Sequence, residues 1–370
     1  MKLLKRIVKW TFRVIVVLFL LVVLLLFIGY WRSTNECGKT AAPGNPSKAI
    51  VYCDYGPPDV LKLEEIEKPV PNDDQVLIKV RAASINPYDW HFIRGTPYIL
   101  RLGAGLRKPK VLRIGGDVAG QVEAVGKNVT QFKPGDEVFG LCNGAWAEYC
   151  LGRSKLALKP ADVSFEQAAS LPVAAITALQ ALRDEGKVQP GQKVLINGAS
   201  GGVGTFAVQI AKSLGADVTG VCSGRNVELV RSLGADPVID YTKEDFTKGA
   251  ERYDVILDNV GTQPLSGFRQ VLKPNGICVM IGGGGPHEGN WIGPLARPIK
   301  ALLLKPFVSQ KLTMMIADVT NKDLTILAEM LQNGKMKSVV DRTYKLSETA
   351  AAVRYVEEGH ARGKVLITLE

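Results

Sequence analysis

The chain reads as an α/β protein in two globular parts, a small β-barrel and a doubly wound parallel sheet, behind one N-terminal transmembrane helix. Three observations predict this. An uninterrupted apolar run lies near the start, short β-rich runs follow closely on one another from Ala49 to about Leu158, and a strand, glycine turn, helix and strand stand in register from Lys193. At 370 residues with 46% hydrophobic content, the chain can bury a large core and fill two globular units. Its 38 glycines and 20 prolines are spread among alternating apolar runs, without an internal repeat or a low-complexity tract, which suits an α/β enzyme.

The apolar run comes first. Val14 to Trp31 carries no charge, and with its flanks it is just long enough for the roughly 20 residues that cross a hydrocarbon layer. Trp10, Tyr30 and Trp31 stand where interfacial aromatics belong. A cleaved signal peptide also begins basic and then apolar, but this run ends in Gly29-Tyr30-Trp31-Arg32 without a small-x-small cleavage site. A mitochondrial presequence is amphipathic, whereas this run is uniformly apolar. The expectation is an uncleaved single-pass anchor over residues 1–32 and a tether over 33–48 containing Pro43, Gly44, Asn45 and Pro46. Lys2, Lys5, Arg6, Lys9 and Arg13 would hold the N-terminus in the cytoplasm and place the enzyme on the far side. Which membrane it occupies, and which side the globular parts face, stay open.

Charge points the same way. The formal net charge is +10, and its basic cluster at the front suits a membrane flank. No basic stripe interleaved with aromatics follows it, so no nucleic-acid partner is expected. The six cysteines, Cys37, Cys53, Cys142, Cys150, Cys222 and Cys278, form no CxxC pair and no framework spacing. They read as reduced, structural thiols.

Within the first globular part, Val76–Val80 and Ala119–Gly126 are strand-like, and Phe132-Lys133-Pro134-Gly135-Asp136 is a turn feeding the strand Glu137–Gly140. In the second part Lys193–Asn197 is a buried-type strand. It runs into Gly198-Ala199-Ser200-Gly201-Gly202-Val203-Gly204, then a helical run from Thr205 to Leu214 and a strand from Asp217 to Val221. Glycines here let the backbone approach a pyrophosphate, and the helix N-terminus supplies N–H groups. Further strands at Pro237–Tyr241, Tyr253–Gly261 and Gly276–Gly282 make a merely structural glycine turn a poor alternative. The second strand ends in Cys222-Ser223-Gly224-Arg225, with no acid before Glu228. A carboxylate there would grip ribose hydroxyls and repel a 2′-phosphate, whereas Ser223 and Arg225 can bind one. The cofactor read from this is NADPH.

From Ala49 to Glu370 the chain resembles the medium-chain dehydrogenase/reductase superfamily, in the zinc-free branch that holds quinone oxidoreductases. The resemblance rests on the 198–205 glycine motif, Val221-Cys222-Ser223, Leu257-Asp258-Asn259-Val260-Gly261 and Gly359-His360-Ala361-Arg362-Gly363-Lys364. It implies a GroES-like barrel at 49–170, a Rossmann domain at 171–306 and a return to the first domain at 307–370. Zinc-using members hold their metal with a Cys and a His; the corresponding positions here are Asn86 and Gly116, neither of which makes the required bonds. With only three histidines and no four-cysteine lobe, no metal site is expected. The resemblance also implies cofactor contacts at Thr177, Ser200, Gly201, Gly202, Val203, Gly204, Ser223, Tyr241, Asn259, His360 and Arg362. The loop Asn86-Pro87-Tyr88-Asp89-Trp90 looks like that of quinone oxidoreductases. Asn86 can donate its amide to a substrate oxygen while Tyr88 or Tyr98 polarises it or passes a proton. Alternatively, Asn86 and Asp89 only tie the loop together.

The segment Gly283–Phe307 is Gly-rich, then apolar and basic. It reads as the substrate mouth, and either as a membrane-facing stretch or as an ordinary amphipathic helix. The expected activity is hydride transfer from NADPH to a quinone or an α,β-unsaturated carbonyl without zinc, by a monomer or a homodimer. The alternatives are a zinc-free enoyl or alkenal reductase and a non-catalytic dinucleotide-binding scaffold in the membrane.

Overall fold

In the computed structural model, the structure describes residues 2–32, 37, 44–282 and 291–369. The expected tether therefore lies largely outside the described residues, as does the Gly-rich start of the 283–307 segment. In chain order the elements are α1 (Lys2–Arg32), β1 (Pro46–Val51), β2 (Lys62–Glu67), β3 (Val76–Ile85), α2 (Pro87–Arg94), α3 (Arg101–Ala104), β4 (Asp117–Val125), β5 (Glu137–Asn143) and β6 (Tyr149–Leu158). Then come α4 (Phe165–Ala169), α5 (Pro172–Gln180), β7 (Lys193–Asn197), α6 (Gly202–Ser213), β8 (Asp217–Cys222), α7 (Val227–Ser232), β9 (Val238–Asp240), β10 (Tyr253–Asp258) and α8 (Leu265–Val271). The last are β11 (Leu272–Met280), α9 (Ala296–Leu304), β12 (Lys311–Met314), α10 (Asn321–Gln332), β13 (Val340–Lys345), α11 (Thr349–Glu357) and β14 (Lys364–Thr368).

Both expected layers are present. One sheet runs β13-β14-β3-β4-β5-β6, and β6 pairs back onto β3 at Val76–Lys79, closing a small antiparallel barrel. Closure demands close backbone approach: a Cβ on Gly120 would stand 2.2 Å from the Lys79 carbonyl oxygen. Ile78, Val80, Val118, Trp146 and Val365 fill the barrel. The second sheet runs β12-β11-β10-β7-β8-β9 with every pair parallel. Its order reverses between β7 and β10, the position at which doubly wound sheets receive dinucleotides. Val194 and Ile196 of β7 enter one core and Leu195 the other, so the strand buries both faces, as its continuous apolar run requires.

Two expectations need correction. The sequence reading returned the chain to the barrel from 307, but β12 is the edge of the parallel sheet and α10 packs on α5; the barrel resumes at β13. A short edge strand adds no motif of its own, which is why the boundary was read early. Secondly, four of the six cysteines are not free thiols: Cys37 pairs with Cys53 and Cys142 with Cys150, leaving Cys222 and Cys278 free and buried among the described residues. Cys142 and Cys150 lie on the neighbouring antiparallel strands β5 and β6 with Cα atoms 6.1 Å apart, within disulfide reach, a juxtaposition that linear spacing does not display. The expected membrane span is not supported by the described residues, among which no helix is long and apolar enough to cross a membrane. The helix α1 is 31 residues long.

Candidate active site

The cofactor cradle forms where β7 ends. Gly198 turns the chain with φ +78°, and Gly201 stands at the N-cap of α6. A Cβ on Gly204 would lie 2.0 Å from the Gly198 carbonyl oxygen, so no side chain fits and α6 starts directly against the turn. Gly201, Gly202 and Val203 remain half-buried, leaving the first N–H groups of a 12-residue helix accessible. Across the switch point, Asn259 Nδ2 donates to the Asn197 carbonyl at 3.0 Å. Its buried Oδ1 has no hydrogen-bond partner among the described residues. A glycine cradle beside an orphaned amide oxygen fits a dinucleotide carrying a carboxamide. The loop bearing Asn259 is fixed by buried Asp258, whose Oδ1 accepts from Asn197 Nδ2 at 2.8 Å, while its Oδ2 pairs with Arg297 at 2.7 Å.

The structure brings several predicted residues together beside this cradle. Asn226 Nδ2 donates to Ser200 Oγ at 3.0 Å and to Ser223 Oγ at 3.3 Å, and Arg225 donates to the His360 carbonyl at 3.0 Å. Tyr241 is exposed, with its backbone N–H on the Cys222 carbonyl. Arg362 is exposed and tied through its backbone N–H to Asp341, and Thr177 is buried in α5. One carboxylate escaped the sequence spacing. Asp240, at the end of β9, places its Oδ2 where a Cβ on Gly224 would be 2.5 Å away. Hydrogen bonds from Thr242 hold its carboxyl below the ordinary range, and Lys243 lies 3.7 Å off.

Facing the cradle is a buried polar cluster at the end of β3. Asn86 is 2% exposed; its Nδ2 donates to Asp117 Oδ2 at 2.8 Å and its Oδ1 accepts from Lys364 Nζ at 2.7 Å. Ser84 Oγ donates to the same Asp117 oxygen at 2.6 Å, and the Val173 N–H to the other at 3.1 Å. The loop-tying alternative is realised by Asp89, which accepts the Asn86 backbone N–H at 2.7 Å. Burial, and then Asp89 and Asp117, push the Tyr88 phenol well above its usual range, with the Asn86 side chain opposing the rise. Tyr88 is therefore a neutral hydroxyl across physiological pH. It occupies the space over Gly116, where a Cβ would stand 2.3 Å from its oxygen. Tyr98 lies apart, edge-on to Trp291 at 5.6 Å and beneath Arg101.

Asp117 and Lys364 were missed as site residues. Their sole sequence signal was adjacency, Asp117 following Gly116 and Lys364 closing the 359–364 motif. Among the described residues, no group of three His, Cys, Asp or Glu side chains is placed to hold a metal ion.

Comparison with known proteins supports one lineage. Residues 72–162 match the alcohol dehydrogenase GroES-like domain, and residues 233–367 match the zinc-binding dehydrogenase family. The chain is 34% identical over 381 residues to the mitochondrial NAD(P)H oxidoreductase RTN4IP1 of Mus musculus, covering 92% of this chain and 95% of that one. It is 36% identical over 340 residues to the chloroplastic NADPH-dependent alkenal/one oxidoreductase of Arabidopsis thaliana, covering 86% and 79%. The solved quinone oxidoreductase of Coxiella burnetii superposes with a TM-score of 0.79 at 31% identity, over 88% of this chain and 100% of that one. With barrel, parallel sheet, glycine cradle and relatives in agreement, this chain belongs to the medium-chain dehydrogenase/reductase family and is an oxidoreductase of its quinone oxidoreductase kin.

Proposed function

We propose that this protein reduces quinones or α,β-unsaturated carbonyls with NADPH, without a catalytic metal. The observation that carries the reading is the Tyr88 hydroxyl over Gly116, 2.3 Å from the Cβ that a metal-binding side chain there would need. Asn86, the other position a metal ligand would take, has its oxygen on Lys364 and its nitrogen on Asp117, and an amide is a poor partner for zinc. The family model bears a zinc-binding description, but its ligand residue types are absent at these two positions.

NADPH, when bound, supplies a hydride. The chain's own residues do the rest. The α6 N-terminus and glycine turn receive the pyrophosphate, and Ser223 and Arg225 bind the 2′-phosphate, with Lys243 offsetting the nearby Asp240. Asn259 Oδ1 accepts from the carboxamide, and Tyr88 donates a hydrogen bond or proton to the acceptor oxygen. Without a Lewis acid, several kcal/mol of charge stabilisation are missing, so the acceptor must delocalise its own developing charge, as quinones and enones do. Two relatives point to such acceptors, one named a quinone oxidoreductase and one an alkenal/one oxidoreductase. Steady-state assays with a 1,4-quinone, an enone and a primary alcohol test the reading. Turnover of the first two, unaffected by chelators and without stoichiometric zinc on elemental analysis, is expected. Alcohol oxidation alone, or activity lost to a chelator, would overturn it.

We also propose that α1 anchors the enzyme in a bilayer. Support comes from the charge-free stretch Val14–Trp31 and from the exposure of its described large apolar side chains from Trp10 to Trp31. The C-terminal end of α1 meets the barrel, where Arg107 lies over the Tyr30 ring at 5.9 Å. Carbonate extraction should leave the full chain in the membrane pellet; its release into the supernatant would remove the anchor.

A further inference from the structure

Lys364 opens β14 with its side chain 3% exposed. Burying an ammonium is costly unless acceptors replace its water, and burial does push this amine below its usual range, opposed by Asp117 and Asp89. Its Nζ finds three oxygens: Asn86 Oδ1 at 2.7 Å, the Ile85 carbonyl at 3.3 Å and Asp117 Oδ2 at 3.6 Å. The second of these is backbone, and the other two belong to the polar cluster beneath Tyr88.

The Asn86 amide lies between a cation and an anion. An ammonium only donates and a carboxylate only accepts, so the amide can sit one way round. Turning it over would face its NH2 toward the ammonium and its oxygen toward the carboxylate, two repulsive contacts in a cluster closed to water. In the allowed orientation the Asn86 nitrogen serves Asp117, and Asn86 is the N-cap residue of α2, the helix that carries Tyr88. Asp117 alone would still attract the nitrogen, but among the described residues only Lys364 holds the oxygen on the opposite side.

Resting on the reduction proposed above, we infer that Lys364 is a positioning residue for it, locking the Asn86 side chain at the N-cap of α2 and with it the start of the helix that carries the Tyr88 hydroxyl. The same side chain borders the cofactor cradle. A Cβ on Gly202 would lie 3.2 Å from Lys364 Cδ and 3.6 Å from the Gly363 carbonyl oxygen. The brace therefore stands where the barrel touches the first turn of α6, and it aligns the two halves of the site.

The test uses the full-length protein and Lys364→Met, which keeps an unbranched side chain one atom shorter and removes its charge. With a 1,4-quinone as acceptor, kcat should fall by about 30- to 100-fold, the usual result of misplacing a reacting group by about 1 Å. The NADPH dissociation constant, followed by cofactor fluorescence, should stay within about twofold, since a charge held by Asn86 and Asp117 is not free to bind phosphate. Combining Lys364→Met with Asn86→Ala should cost little more than the worse single variant, because both remove one brace. Wild-type kcat in Lys364→Met, or additive losses in the pair, would overturn the inference and leave a lysine that only fills space. Should Lys364→Met fail to fold, Lys364→Gln carries the same comparison, and its kcat should lie between the two. A second readout stands apart from turnover. In protein carrying isotope-labelled asparagine, the side-chain amide signal that disappears in Asn86→Ala should be sharp in the wild type and broadened when Lys364 is replaced. An unchanged signal refutes the brace; absence of any wild-type turnover with an intact brace refutes the reduction instead.

Discussion

Replacing Gly116 by alanine perturbs the site at one defined atom. The new Cβ would lie 2.3 Å from the Tyr88 oxygen, with Leu141 Cδ2 at 3.4 Å and Tyr88 Cζ at 3.6 Å. Only the hydroxyl contact is impossible. Ordinary contact begins at 3.4 Å, so the hydroxyl must retreat by about 1.1 Å, a misplacement that typically costs about 100-fold in rate. That corresponds to about 2.7 kcal/mol of transition-state free energy. Because Gly116 lies at the barrel end of the cleft, away from the 198–204 turn, cofactor affinity should be unchanged. The assay is kcat/KM for NADPH-dependent quinone reduction, alongside cofactor titration by fluorescence and thermal melting. Wild-type kcat/KM in Gly116→Ala, with melting unaltered, would refute the placement of Tyr88 at the acceptor. A loss expressed only as weaker NADPH binding would refute the division of labour between the two halves of the site.

Two other outcomes follow from the same geometry. NADPH should bind more tightly than NADH, and Arg225→Ala should weaken NADPH alone by about tenfold, the scale of one exposed charge-assisted contact; equal affinities for the two cofactors in fluorescence titrations would refute this. Asp89 concerns stability: burial pushes its carboxyl well above the usual range, opposed by the Asn86 backbone N–H and Lys364, with Asp117 adding to the rise. The folded state therefore holds a proton that the unfolded chain has released, so Asp89 contributes most at acid pH. Its contribution is lost as pH rises from the ordinary carboxylate range through the raised value. Asp89→Asn should flatten that fall in thermal stability and keep the loop closed, and an identical pH dependence in the variant would refute the assignment.

The way each feature was, or was not, written in the sequence has a physical basis. Local rules decide the glycine cradle: a strand that buries both faces, a turn needing positive φ at Gly198 and a helix start that tolerates no side chain at Gly204 all lie within a dozen neighbouring residues. The same holds for the barrel strands, whose turns are local, and for the apolar continuity of α1. The identity of the ligand-position residues, Asn86 and Gly116, is likewise a sequence fact, and it directed attention to the loop that carries Tyr88.

Tertiary structure decided how those residues are used. Asn86 looked like a donor to substrate, yet its amide is fully engaged by Lys364 and Asp117, residues 278 and 31 positions away. That leaves the Tyr88 hydroxyl, over Gly116, as the donor proposed for this loop. The acid near the second strand came from β9, because parallel neighbours in a sheet bring strand ends together regardless of the chain between them. Cys142 met Cys150 through the antiparallel pairing of β5 with β6. A sequence specifies conformations over a few residues through backbone sterics and periodicity, and these it states openly. Which buried cation faces which amide depends on how β14 is laid against β3 after the whole Rossmann sheet has intervened, and only the closed barrel fixes that.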